Sequence, residues 1–152
     1  MDSTVISPWS ADWAWSLPLI ILTVVIHAYG LGEIDKRVAV ILKGNGTHRL
    51  SSGISVTLMG GTALFATILH GFEASIWAAA FVLLGAEPDR RSAMLYSLSA
   101  MTTYGHTNIH LEAHWQLMGA LKALNGWILF GLTTAFLFTV MYRVWPHVKH
   151  ND

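Results

Sequence analysis

Cysteine is absent from the 152-residue chain, which excludes a disulfide framework and a thiolate metal site. Charged residues are scarce, at 12% of the sequence, and the nine basic and nine acidic residues cancel. We therefore expect no general attraction to nucleic acid and no nucleic-acid partner. The sequence also lacks a nucleophile triad, a phosphate-binding loop and a nucleotide fingerprint. We expect a protein that is not an enzyme and that has neither a resident cofactor nor a soluble protein partner.

Long apolar runs are what the sequence has instead, and hydrophobic residues make up 53% of it. The runs extend over Leu17 to Leu31, Ile54 to Leu84 and Trp115 to Tyr142. A helix needs about 20 apolar residues to cross the hydrocarbon core of a bilayer. The pattern predicts an all-α membrane protein with three transmembrane helices in contact with lipid.

Basic residues set the expected orientation. The stretch from Met1 to Trp15 contains no Lys or Arg, so it does not have the pattern of a secretory signal. Under the positive-inside rule, the N-terminus is expected outside and the C-terminus in the cytoplasm, in a multi-pass protein of the bacterial inner (plasma) membrane. Only Arg90 and Arg91 oppose this bias. The basic residues that support it lie in the loop after the first span and in the tail: Lys36, Arg37, Lys43, Arg49, Arg143 and Lys149.

A short helix is predicted between the second and third spans. Asp89 is a candidate N-cap, and residues Arg90 to Met101 have a helical pattern interrupted by serines. Twelve residues rise about 18 Å, which is too little to cross a membrane. Since the next apolar run must end inside, this segment is expected to enter the membrane and return as a re-entrant helix. Irregular backbone at that depth is tolerated where protein buries it or water lines it.

The stretch after this helix carries a family resemblance. Thr103-Tyr104-Gly105-His106-Thr107-Asn108-Ile109, aligned without gaps with the potassium-channel filter pattern T-[VL]-G-Y-G-D-[IL], keeps the Thr, the first Gly and the closing aliphatic residue. From about Ser52 to Arg143 the chain resembles the two-helix pore module of the bacterial potassium-channel superfamily, with one extra N-terminal helix. The resemblance implies a homotetramer around a central pore, since one chain cannot encircle an ion.

The resemblance divides the chain into three parts. Residues 1–51 hold the extra helix and a cytoplasmic loop, residues 52–143 the pore module, and residues 144–152 a short tail. It implies a cation channel that passes potassium down its gradient, with potassium or sodium bound by Thr103, Tyr104 and Gly105. The expected selectivity filter comprises Thr102, Thr103, Tyr104, Gly105, His106, Thr107 and Asn108.

Three filter positions depart from the family pattern, because His106, Thr107 and Asn108 replace Tyr, Gly and Asp. A β-branched Thr resists conformations that glycine adopts. We therefore expect the two inner ion sites to be intact and the outer ones distorted, with relaxed selectivity for potassium over sodium. A ring of four His106 side chains could also sense pH, although solvated loop histidines explain the same residues.

The last apolar run is expected to line the conduction path. Asn125 is the polar residue best suited to a water-filled cavity, whereas Thr133 and Thr134 can also bond their own helix backbone. Gly126 or Gly131 lies where the family has its gating hinge, and close helix packing is the alternative for both. An apolar constriction near Phe138 could gate by dewetting, and simple packing explains that residue as well.

Ionisable residues inside the spans form the last predicted feature. His70 and Glu73 share a helix face, and Glu73 lies at a depth similar to that of Lys122. We expect His70, Glu73 and Lys122 to form an intramembrane polar network in which Glu73 pairs with Lys122, with a proton-sensing role as the alternative.

Two other functions compete with a channel. Haem could bind to intramembrane His27 and His70, which would make the chain a membrane redox protein. A non-conducting accessory subunit is the third interpretation, without a specific sequence feature in its favour.

Overall fold

Four α-helices make up most of the structure, a computed structural model that describes residues 8–44, 52–102, 104–105 and 109–145. Three of the helices are long and apolar enough to cross a membrane, which confirms the predicted all-α fold with three helices of transmembrane length among the described residues. The bounds are α1 Pro8–Gly44, α2 Ser52–Leu83, α3 Arg90–Thr102 and α4 Gln116–Val144, with a 3₁₀ turn at Ala113–Trp115.

Helix α1 is longer than its apolar run. Lys36, which the sequence places in a loop, lies within the helix and donates a hydrogen bond to Glu33 over 2.6 Å. The pairing of residues three apart is the common way in which an exposed helix accommodates charge. The helix therefore continues from the predicted membrane span into the predicted cytoplasmic region and ends at Gly44.

Helices α1 and α4 lie side by side and run in the same direction. At one end, the Met118 backbone N–H donates to the Asp12 carboxylate over 3.0 Å. At the other end, Arg143 donates to Asp35 over 2.6 Å. Asp12 thus places an acidic group at the N-terminus of α4, where the helix dipole favours negative charge. The two parallel helices are tied at both ends.

Helix α2 runs antiparallel to this pair. His27 of α1 contacts Glu73 near the middle of α2, and Gly30 lies against Leu69 one turn further along. Beyond this level the three helices meet through apolar side chains, in a cluster of Ile34, Val38, Val140 and Val144 with Leu58 and Met59 packed on it. The interior is therefore polar around the middle of the bundle and apolar toward the ends of α1 and α4.

The short helix α3 packs against α2 and α4. The Asp89 side chain accepts the Ser92 N–H over 2.8 Å, which confirms the predicted N-cap. These hydrogen bonds from the Ser92 N–H and side chain hold the pKa of the Asp89 carboxyl below its usual value. The Ser97 hydroxyl donates to the Ala74 carbonyl of α2 over 2.7 Å. The first turn and the middle of α3 are thereby fixed.

The C-terminal end of α3 lies beside the middle of α4. A Cβ atom built on Gly126 would be 2.5 Å from the Met101 carbonyl oxygen and 2.8 Å from its Cα, so the two backbones touch. Small residues permit such approach between membrane helices. Gly126 follows the start of α4 by about ten residues, a rise of roughly 15 Å.

We expect Gly126→Ala to lower the free energy of unfolding by about 1–3 kcal/mol, because the added methyl group must displace the backbone of α3. Gly131→Ala is the matched control, since a Cβ there meets nothing within 4 Å. Alanine at that position should leave stability unchanged or raise it by up to about 1 kcal/mol through helix propensity. Unfolding of the two variants in the same detergent measures the difference. Equal stabilities would contradict the close approach of Met101 to α4.

Candidate functional site

The loop after α3 contains the predicted filter, and the structure describes part of it. Tyr104 continues from the helix, with its N–H donating to the Ser99 carbonyl over 3.0 Å. Gly105 has a φ of +79°, in the left-handed region that L side chains rarely adopt. Thr102 ends α3 and donates through its hydroxyl to the Leu98 carbonyl over 3.0 Å. Thr103, His106, Thr107 and Asn108 lie outside the described residues.

Gly105 lies at the edge of an open depression between α3 and α4. The depression has a volume of about 440 Å³, and its lining includes Tyr96, Ser99, Ile109 and Gly119. Tyr104 itself is 87% exposed in the single chain. Tyr104 and Gly105 are therefore exposed in the single chain, whereas Leu111, nearer the end of the loop, is buried.

The residues predicted to line a cavity divide between two faces of α4. Asn125 and Thr133 are buried inside the chain, and Asn125 donates to the Thr23 hydroxyl of α1 over 2.8 Å. Within the single chain Asn125 therefore faces α1, and its Oδ1 has no hydrogen-bond partner among the described residues. Gly126 faces α3, so close packing explains it. Gly131, Thr134 and Phe138 lie on the exposed side.

A buried polar cluster joins α1, α2 and α4 at mid-helix. His27 Nδ1 lies 2.8 Å from Glu73 Oε1, and His27 Nε2 lies 2.9 Å from the Thr133 hydroxyl. His70 Nε2 lies 3.0 Å from the same hydroxyl, and its Nδ1 lies 3.4 Å from Glu73 Oε2. His27 and Glu73 are completely buried. We call these four residues the His–Glu cluster.

Four contacts join the residues of the His–Glu cluster in a ring. The available protons supply hydrogen bonds for three of these contacts, and the fourth lacks a proton. With Glu73 ionised and both imidazoles neutral, His27 donates from Nδ1 to Glu73 and uses its Nε2 to accept the Thr133 hydroxyl proton. His70 must then donate from Nε2 to the Thr133 oxygen, which leaves a lone pair on its Nδ1. That lone pair faces the carboxylate across the longest edge, where His70 Nδ1 and Glu73 Oε2 lack a hydrogen-bond partner. A proton or a metal ion at this edge would complete the set of contacts.

Lys122 does not form the predicted ion pair with Glu73. Its ammonium group is fully buried and has no hydrogen-bond partner among the described residues, and it lies 5.5 Å from the centre of the Trp77 ring. It remains close enough to Glu73 for an electrostatic interaction. The partners of Glu73 are instead His27 and His70, because α1 brings an imidazole to the same depth. Of the predicted network, His70 and Glu73 are brought together and Lys122 stands beside them.

Sequence reasoning noted His27 as an ionisable residue within a span but assigned it no partner in the network. The depth that matches Glu73 with Lys122 applies equally to His27, so depth alone does not decide between the two partners. Thr133 was predicted to face a cavity, and nothing in the sequence indicates that its hydroxyl meets two histidines.

The geometry of the two histidines bears on the haem alternative. Their ring centroids are 4.9 Å apart, so the imidazoles contact each other directly. Two axial ligands of one haem lie on opposite faces of the macrocycle, and this separation leaves no space for it between the rings. The arrangement of His27 and His70 therefore does not fit haem ligation by this pair.

Comparison of the chain with protein-family models, with curated proteins and with solved structures finds no match.

For the His–Glu cluster we expect Glu73→Gln to preserve stability in metal-free buffer. The amide oxygen can accept from His27, and the amide N–H can donate to the lone pair of His70, so the ring closes with neutral groups. Glu73→Ala removes both contacts and leaves a cavity, which should cost about 2–4 kcal/mol. Unfolding in detergent compares the two variants with the unmodified protein. A Gln variant as unstable as the Ala variant would contradict this hydrogen-bond assignment.

Proposed function

We propose that this protein is a cation channel that assembles as a homotetramer and passes potassium, with relaxed selectivity over sodium. The carrying observation is the position of α3, a 13-residue helix whose C-terminal end lies beside the middle of α4 and leads into the positive-φ Gly105. A helix of this length cannot cross a bilayer. The sequence resemblance to a pore module covers the same segment.

The contacts around the loop support a re-entrant path. The Ala86 carbonyl, which precedes α3, accepts the N–H of Glu112, which precedes α4. The chain before α3 and the chain before α4 therefore lie at the same level. Between these points Met101 reaches Gly126, roughly 15 Å along α4. The end of α3 and Glu112 therefore lie at levels roughly 15 Å apart along α4. Descent by a helix and return by an irregular loop is the arrangement expected of a pore loop.

The electrostatics at the end of α3 suit a cation. The C-terminus of a helix carries about half a negative charge from its unpaired carbonyl groups. In the proposed tetramer, four such ends would point toward the axis, and carbonyl groups from Thr103 to Gly105 would replace the water ligands of a dehydrated ion. The left-handed conformation at Gly105 changes the direction of its carbonyl relative to a regular helix.

One exposed face of α4 is available for the conduction path. Gly131, Thr134 and Phe138 recur at a spacing of three to four residues, and all three are exposed in the single chain. Phe138 is 62% exposed, which is compatible with an apolar constriction at the axis. We assign the cavity to this face, and we assign Asn125 and Thr133 to the interior of each subunit.

The distribution of basic residues supports the proposed orientation. Arg143 of α4 bonds to Asp35 of α1, so the end of α4 lies at the same level as the basic segment of α1 with Lys36, Arg37 and Lys43. This end is proposed to face the cytoplasm of a bacterium, which places the N-terminus outside. Arg90 and Arg91 start α3 at the opposite end.

Selectivity is tested by the reversal potential of reconstituted protein under potassium on one side and sodium on the other. We expect a potassium-to-sodium permeability ratio below about tenfold, because Thr107 stands where the family pattern has glycine and distorts the outer sites. A strongly potassium-selective current would contradict the relaxed selectivity, and complete absence of current would contradict the channel.

Gly105→Ala should abolish the current, because alanine strains the left-handed backbone of the loop. Gly85→Ala is the matched control: Gly85 has a φ of +69° and also meets nothing within 4 Å, but it lies in the connection before α3. The backbone strain is of order 1 kcal/mol at both positions. Flux from vesicles containing equal amounts of folded variant measures the difference. Full current in Gly105→Ala, or equal loss in both variants, would contradict a filter at Gly105.

A further inference from the structure

We propose that His27, His70 and Glu73 form a binding site for a divalent transition-metal ion with the ligand preference of zinc. The proposal does not depend on the channel, because it concerns the interior of one chain. Such an ion would join α1 to α2, with α4 supporting the ligands through Thr133.

The three side chains already converge. One ligand atom from each of His27, His70 and Glu73 can be chosen so that all lie within 4.8 Å of one another, and all three residues are buried. Ligands of a tetrahedral zinc ion bind at about 2.0–2.2 Å, which places neighbouring ligand atoms roughly 3.3 Å apart. The present separations of 2.8 Å and 3.4 Å between the carboxylate and the two imidazoles bracket that value. The two distances reach different carboxylate oxygens, so binding needs at least an adjustment of side chains.

Two unpaired atoms point to a missing cation. His70 Nδ1 and Glu73 Oε2 are buried without a hydrogen-bond partner, and they face each other across 3.4 Å. An unpaired polar atom in such surroundings costs roughly 1–3 kcal/mol, and more when it is charged. A metal ion between the imidazoles and the carboxylate would bind both His70 Nδ1 and Glu73 Oε2. It would also displace the proton that His27 Nδ1 donates to Glu73.

Thr133 supplies the outer contact that metal-binding histidines usually have. When Nδ1 of each imidazole binds the ion, each neutral ring carries its proton on Nε2. The Thr133 oxygen lies 2.9 Å from Nε2 of His27 and 3.0 Å from Nε2 of His70, and its two lone pairs can accept both protons. The same hydroxyl thus fixes the tautomer and orientation of both ligands.

The ligand set selects the class of ion. Two imidazoles and one carboxylate, with a fourth position left for water, are typical of zinc sites. Calcium and magnesium prefer oxygen ligands throughout, and this cluster offers one carboxylate. The competing occupant is a single proton, which would complete the hydrogen-bonded ring without a metal.

Cobalt(II) is the probe for this site, because it takes zinc positions and absorbs visible light when four- or five-coordinate. Purified, untagged protein in detergent is first treated with a chelator and then titrated with cobalt(II). We expect one equivalent to bind per chain with visible d–d bands, and zinc to displace it. Zinc should also raise the melting temperature by about 5 °C or more at saturation, since it binds the folded state.

Three variants locate the site. Glu73→Gln should keep the fold and lose the cobalt bands, with binding weakened by more than about tenfold. Thr133→Val should weaken binding roughly 10- to 100-fold by removing the outer contact, and Thr133→Ser should restore it. His110→Asn and Glu112→Gln are the controls, because both residues are exposed and outside the cluster; they should bind cobalt normally.

Absence of stoichiometric cobalt binding by the unmodified protein would overturn the proposal and leave a proton as the occupant. Equal binding by the unmodified protein and Glu73→Gln would also overturn it, because the ion would then lie elsewhere. Neither result bears on ion flux, so failure of the metal site and failure of the channel are distinguished by separate measurements.

Discussion

Hydrogen bonds from buried polar side chains of α1 to other helices fix its position. Its buried face carries Asp12, Thr23 and His27, which meet Met118, Asn125 and Thr133 of α4. The Asp35–Arg143 pair continues the series at the far end. Apolar packing in lipid gains little from the hydrophobic effect, so such hydrogen bonds and close contacts determine which helices associate. The position of α2 depends on the same histidine, because His27 also contacts Glu73 of α2.

Helix α3 depends on a second constraint, which is close backbone contact. Ser97 bonds to the Ala74 carbonyl, and Met101 rests against Gly126. A larger residue at either contact would push the helix away from its neighbours.

The number of spans, the short helix and its N-cap could all be predicted from the sequence, because apolar length and the Asp89 position are local signals. The partner of Glu73 could not, since Lys122 and His27 lie at comparable depths and only the packing of α1 decides between them. Asn125 shows the same limit. Its polarity indicated that it avoids lipid, but both the water of a cavity and the Thr23 hydroxyl can accept its amide N–H.

The pairing of α1 with α4 has a consequence for the making of the protein. The hydrogen bonds between these helices join residues 102 to 108 positions apart, so α1 is synthesised well before α4. At a synthesis rate of about 5–20 residues per second, roughly 5–20 s pass between the synthesis of the polar face of α1 and that of its partners in α4. During that interval Asp12 and His27 need other hydrogen-bond partners, which water, lipid headgroups or the insertion machinery can supply. The polar contacts of α1 are thus completed only after α4 has been made.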